Sequence, residues 1–148
     1  ELINVKSLIG ENTMNWSGLR VMLPYSKQLI HSDARINPVN GRRKEITCLL
    51  YLNKGYKKPD GGCLELWDDS MKKCVHEIEP IDNRLVLFQN TDKSYHGVPS
   101  VKSERKSITW SMASKLSATS ERKKALFVKR PNDNQSIEDL GLERSLVK

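Results

Sequence analysis

Between residues 28 and 114 the chain runs as a series of short apolar or alternating segments, each closed by a turn signal. This punctuation limits the fold more than any other feature. Segments 28–35, 45–53, 63–67, 74–79, 84–89, 95–101 and 105–114 have strand length and are rich in Leu, Ile, Val, Thr and aromatic residues. Between them stand Asn37-Pro38-Val39-Asn40-Gly41, Pro59-Asp60-Gly61-Gly62 and a turn at Pro80 and Asp82-Asn83. Proline presets φ in such turns, while glycine and asparagine accept the backbone that reversals need. With a further strand at 19–23, the chain predicts about eight strands in roughly 95 residues, a density that suits a sandwich or barrel and a jelly roll in particular.

The flanks read differently. Residues 120–128 are open to strand or helix, Pro131 starts a break, and 136–146 predicts a short C-terminal helix. Ser136 and Asp139 would cap that helix, with Gly141 as an interruption. Before residue 28, besides the strand at 19–23, there is room for one short turn of helix. We expect a single domain over 1–148, with its core at about 19–130 and an extension at 131–148. A chain of 148 residues can bury a core without disulfide staples. It opens on Glu1 rather than Met, which leaves room for an upstream segment, and its start has neither the basic head nor the apolar run of a secretory signal. No apolar run approaches the roughly 20 residues of a membrane-spanning helix, so no membrane role is expected.

Cys48, Cys63 and Cys74 are odd in number and form no CxxC pair, which argues against a disulfide framework and a zinc ribbon. Cys48 and Cys63 are expected as small buried hydrophobes, and a reducing, cytoplasmic compartment fits best. The 25 Lys and Arg outnumber the 18 Asp and Glu, for a net charge of +7. The excess sits at Arg42-Arg43-Lys44, Lys54 with Lys57-Lys58, Lys72-Lys73 and Arg122-Lys123-Lys124. Most of these fall at expected turns and are read as solvated. With no nucleic-acid-binding motif beside them, they argue against a nucleic-acid partner.

Chemistry concentrates on two of the three histidines. In His31-Ser32-Asp33, residues i and i+2 of a strand share a face, so the imidazole and the carboxylate converge. His96 opens a later strand. Two imidazoles and a carboxylate are the ligand set of non-haem Fe(II), holding one face of the ion and leaving other positions open. Nine residues on, Arg105, Ser107, Thr109 and Ser111 alternate with Lys106, Ile108, Trp110 and Met112. A polar row headed by arginine on a buried strand suggests a cavity wall, and a guanidinium there suits a carboxylate.

From His31 to Trp110 the chain resembles the 2-oxoglutarate/Fe(II)-dependent oxygenases, prolyl 4-hydroxylase branch, and most closely the hypoxia-sensing prolyl hydroxylases. The resemblance rests on His31-Ser32-Asp33, the run Ile46 to Asn53 followed by Lys54, Gly61-Gly62-Cys63-Leu64-Glu65-Leu66, Ile78-Glu79-Pro80, Asn83 to Phe88, His96-Gly97-Val98 and Arg105 to Thr109, in that order. It implies a mainly β double-stranded β-helix with few supporting helices. It also implies iron on His31, Asp33 and His96, and Arg105 on the distal carboxylate of 2-oxoglutarate. Tyr51 matches the tyrosine that hydrogen-bonds the same cosubstrate; Thr109 and Leu64 match positions lining its pocket. Thr47, Leu49 and Tyr51 share a strand face, which agrees.

The implied activity is hydroxylation with 2-oxoglutarate and O2 as cosubstrates and succinate and CO2 as products, with ascorbate a candidate accessory. The expected substrate is a prolyl residue in a peptide or protein, and the expected state is a monomer. Two alternatives stay open: hydroxylation of a free amino acid or small metabolite, and a jelly roll that binds metal or a partner without catalysis. The donor set would accept Mn, Co, Ni or Zn as readily as iron.

There are departures from the family pattern. Gln28 stands where many prolyl hydroxylases place a tyrosine, with Tyr25 nearby, and the N-terminal helices that brace the barrel are largely missing. Ser111 stands where an AlkB-type nucleic-acid demethylase has its second arginine. His76 is expected at the surface, Trp16, Trp67 and Trp110 in packing roles, and Arg35, Arg42 and Arg43 in a loop with access to a peptide.

Overall fold

The longest strand of the computed structural model, Arg105–Ser117, carries the alternation in three dimensions: Arg105, Ser107, Thr109 and Ser111 are buried, while Lys106 and Ile108 face solvent. The structure describes residues 7–117 and 123–134. Among these the strands are β1 (Leu8–Gly10), β2 (Gly18–Met22), β3 (Gln28–Ser32), β4 (Arg42–Tyr51), β5 (Leu64–Trp67), β6 (Cys74–Ile78), β7 (Leu85–Gln89), β8 (His96–Val98), β9 (Arg105–Ser117) and β10 (Leu126–Phe127).

They form two antiparallel sheets. One runs β1-β9-β4-β7, with β2 pairing the same edge of β9 further along; the other runs β10-β3-β8-β5-β6. Consecutive strands repeatedly fall in opposite sheets, as a jelly roll requires. Tyr51, Leu64, Val86, Val98 and Val101 make the core between the sheets, with Met22, Leu49, Leu66, Ile78 and Phe88 packed against it. Both sheets therefore turn side chains toward one interior, and at one end that interior is polar rather than apolar.

The eight expected strands are present, and two more join them. β1 pairs Leu8–Gly10 with Met112–Ser114 in the region where a helical turn was expected. In the segment left open to strand or helix, the described residues form a strand at Leu126 and Phe127, laddered onto Ser32 and His31. The one helical turn among the described residues is the 3-10 turn Lys58–Asp60. The expected helix at 136–146 lies outside the described residues.

β3 is shorter than expected. It stops at Ser32, whose hydroxyl donates to the Thr91 carbonyl (2.9 Å) and leaves Asp33 one step beyond the ladder. The chain then closes a hairpin onto β4 through Lys44 N to Arg35 O (2.7 Å) and Asn37 N to Arg42 O (2.9 Å). Asn37 Nδ2 donates to Thr13 Oγ1 (2.7 Å) and Asn40 Nδ2 to Glu11 Oε1 (3.1 Å), so the loop after the HxD pair is braced by the N-terminal segment.

Candidate metal centre and its cavity

His31 on β3 and His96 on β8 are directly opposite one another across the ladder, with ring centroids 4.4 Å apart. A bulge between Gln28 and His31 re-aims the strand just before this pair. Each imidazole donates Nδ1–H to a carbonyl two residues back in its own chain, His31 to Leu29 O and His96 to Ser94 O, both at 2.9 Å. That fixes the tautomer and leaves each Nε2 as a lone pair aimed into the shared space. Asp33 closes the group: Oδ1 lies 3.4 Å from His31 Nε2 and Oδ2 lies 4.0 Å from His96 Nε2. One ligand atom from each of the three falls within 4.8 Å of the others. Phe88 packs on the His96 ring and Phe127 on the His31 ring, giving the site apolar sides.

The electrostatics suit a cation. Burial works against ionisation of Asp33, but the neighbouring His31 and Lys44 groups outweigh it and hold the carboxyl well below its ordinary range. Burial, followed by the proximity of His31, pulls His96 down to about 4, so at neutral pH it is an uncharged donor. Two imidazoles and an ionised carboxylate fit a divalent first-row metal such as iron.

A cavity of about 770 Å³ opens from this group and is also lined by Leu64, Arg105, Ser107 and Thr109. Arg105, 7% exposed, donates Nε–H to Gly62 O (2.9 Å) and Nη2–H to Tyr51 Oη (3.1 Å), and its guanidinium carbon sits 4.8 Å from the Tyr51 ring centroid. Among the described residues no carboxylate pairs with it. Burial alone pulls the guanidinium pKa down, with Tyr51 partly offsetting this. A buried, unneutralised guanidinium at the end of a cavity is a receptor for an anionic ligand. The hydroxyl of Thr109 is buried without a hydrogen-bond partner, a cost of about 1–3 kcal/mol that a bound ligand would relieve.

The predicted residues therefore meet in one place, with Tyr51 in a supporting position. It is wholly buried behind Arg105 and touches the cavity through it. Gln28 does line the cavity, 3.5 Å from His31 Nε2, whereas Tyr25 is exposed and does not. His76 is at the surface and Cys48 is buried, as expected, while Cys63 is half-buried. Arg35 is buried and bonds the Asn90 carbonyl, and Arg43 pairs with Glu45 at 2.6 Å, so these two brace the scaffold.

Lys44, grouped with the solvated arginines by its position in a basic run, is instead 4% exposed with Nζ 2.6 Å from Asp33 Oδ2. Thr47 and Asn90, both buried, flank the same oxygen and were missed as well. The buried polar Thr47, next to apolar Ile46 and Cys48, was the available signal.

Residues 19–112 match the family model of the 2OG-Fe(II) oxygenase superfamily. Prolyl hydroxylase EGLN3 of Mus musculus is 40% identical over 63 residues, which are 42% of this chain and 26% of that protein. A prolyl-4-hydroxylase structure from Pseudomonas putida superposes with a TM-score of 0.56 at 25% identity, covering 70% of this chain and 54% of that one. A prolyl 4-hydroxylase structure from Phytophthora capsici gives 0.54 at 32% identity, covering 66% and 31%. The chain thus spans about a quarter of the length of the curated relatives it matches.

Proposed function

Because the chain belongs to the 2OG-Fe(II) oxygenase superfamily, we propose that it is a hydroxylase that holds Fe(II) on His31, Asp33 and His96 and uses 2-oxoglutarate and O2. The observation that carries this is the meeting of the three donors and the unneutralised Arg105 in one cavity. Iron with 2-oxoglutarate bound would supply the oxidising power, decarboxylating the cosubstrate to succinate as O2 is reduced.

The chain's own residues supply position and exclusion. His31 and His96, with Nδ1 anchored, present Nε2 without reorganisation. Arg105 would grip the far carboxylate of the cosubstrate through N–H groups that Gly62 and Tyr51 leave free, and the Thr109 hydroxyl stands ready to donate to the same ligand. Leu49, Leu64, Phe88 and Val98 wall the cavity with apolar surface. They keep bulk water away and so strengthen the Arg105 pairing.

The finer assignment is a prolyl residue within a peptide or protein. It is supported by the prolyl hydroxylases among the relatives and by a cavity mouth edged by exposed Arg20, Leu23 and Lys27, open to a chain segment. The test is succinate release against a panel of proline-containing peptides and free proline, with the gained oxygen located by mass spectrometry. Hydroxylation of a peptide prolyl residue supports the assignment. Turnover on free proline but on no peptide overturns it, and no 2-oxoglutarate-dependent turnover on any substrate overturns the hydroxylase itself.

A further inference from the structure

Lys44 is the one buried lysine among the described residues. Taking an ammonium out of water costs several kcal/mol unless a partner repays it, so its placement needs a cause. The cause is local. In β4 Thr47, Leu49 and Tyr51 oppose Ser111, Thr109 and Ser107, the inward row of β9, whereas Ile46 opposes Met112 and so belongs to the other face of the sheet. Strict alternation would put Lys44 on that other face with Ile46, away from the cavity. Instead the register slips between Lys44 and Ile46: Lys44 opposes Ala113, so Glu45 is an extra residue and the bulge turns Lys44 inward. Its ammonium lands on Asp33 Oδ2 at 2.6 Å and lies 5.3 Å from the Trp16 ring centroid.

Two more donors aim at the same oxygen. Thr47 Oγ1 lies 3.2 Å from Asp33 Oδ2. In the amide orientation that satisfies its surroundings, Asn90 accepts from Thr47 N (3.0 Å) and donates Nδ2–H to Asp33 Oδ2 (3.2 Å). An ammonium, a hydroxyl and an amide thus converge on Oδ2, which stands 4.0 Å from His96 Nε2, while Oδ1 lies closer to the imidazoles, 3.4 Å from His31 Nε2.

We propose that Lys44 is a positioning residue that holds Asp33 as a one-oxygen metal ligand, keeping Oδ2 off the ion so that a coordination position stays open for cosubstrate or O2. The inference rests on the metal reading of His31, Asp33 and His96. Lys44 does not strengthen metal binding; its charge slightly opposes a cation. Its role is to deny the second oxygen.

The test uses the full chain and Mn(II) alone, with binding followed by electron paramagnetic resonance and the exchangeable waters counted by water-proton relaxation. Lys44→Met is expected to bind Mn(II) as tightly as the parent or up to about tenfold tighter, with one fewer exchangeable water. Lys44→Arg is expected to restore the parent count, which a loss of packing alone would not explain. Weaker binding by Lys44→Met, or an unchanged water count, overturns the proposal. The unsubstituted protein provides a check that requires no variant to fold: on adding Mn(II), the infrared splitting of the Asp33 carboxylate stretches widens for a one-oxygen ligand and narrows for a chelating one. A narrowed splitting also overturns the proposal. If the parent chain binds no Mn(II), or Asp33→Ala binds it unchanged, the metal reading itself fails.

Discussion

Replacing Arg105 with methionine separates the needs of the ligand from those of the fold. In the cosubstrate-free protein the guanidinium is buried against a carbonyl, a phenol and the Met22 sulfur (3.6 Å), none of them charged. Methionine fills similar volume and has no charge to desolvate, so the unliganded variant should be as stable as the parent or more so, as buried-ion replacements often are. Cosubstrate binding should go the other way. Losing a buried, bidentate partner of a carboxylate costs about 3–5 kcal/mol, or at least a hundredfold in Kd. Calorimetric titration of 2-oxoglutarate into the Mn(II)-loaded, oxygen-free protein reads the second effect, and thermal melts without cosubstrate read the first. A folded Arg105→Met chain that binds 2-oxoglutarate within threefold of the parent would refute the assignment of Arg105 as the carboxylate receptor.

Gly62→Ala should weaken both stability and cosubstrate binding. At φ +75° a Cβ would lie 2.7 Å from Val101 Cγ1 and 3.2 Å from Arg105 Cδ, for a cost of about 1–3 kcal/mol in urea denaturation. Tyr51→Phe removes only the hydroxyl that orients Arg105, so 2-oxoglutarate should bind roughly tenfold more weakly while far-ultraviolet circular dichroism is unchanged. The metal-free protein should lose stability on acidification. His96 titrates near 4 when folded and near its ordinary 6.5 when unfolded, so the unfolded chain takes the proton first. Its contribution is complete above pH 6.5 and falls by about 3 kcal/mol on the way down to pH 4, and Asp33 extends the loss below the ordinary carboxylate range. Urea melts at pH 7 and pH 4.5 with equal midpoints would contradict this.

Much of the site was legible because it obeys a period of two. The row Arg105, Ser107, Thr109, Ser111 could be assigned to one face from spacing alone, and the burial of β9 follows it. His31 and Asp33 converge as their spacing suggests, although the strand ends at Ser32 and Asp33 stands in the irregular segment just beyond it. Lys44 was hidden for the opposite reason. A single bulge residue reverses parity, and nothing in Arg43-Lys44-Glu45 marks which residue will be extra. Asn90 was invisible for want of locality: it reaches Thr47 and Asp33 only because β7 lies beside β4. Tyr51 became intelligible only once β4 was paired with β9. It is opposite Ser107, and so diagonal to Arg105 across the ladder. β1 escaped notice because three residues paired to the end of a long strand carry too little pattern to detect.

On the proposed function, His31, Asp33, His96 and Arg105 together hold iron and 2-oxoglutarate. Its most direct test is an anaerobic titration of the full chain with Fe(II) and then 2-oxoglutarate, watching for the weak visible charge-transfer band of the iron–oxoacid chelate. The expected result is a band that saturates at one iron and one cosubstrate per chain, is absent from Asp33→Ala, and needs far more cosubstrate in Arg105→Met. No band in the parent chain, or one that survives Asp33→Ala unchanged, would contradict it.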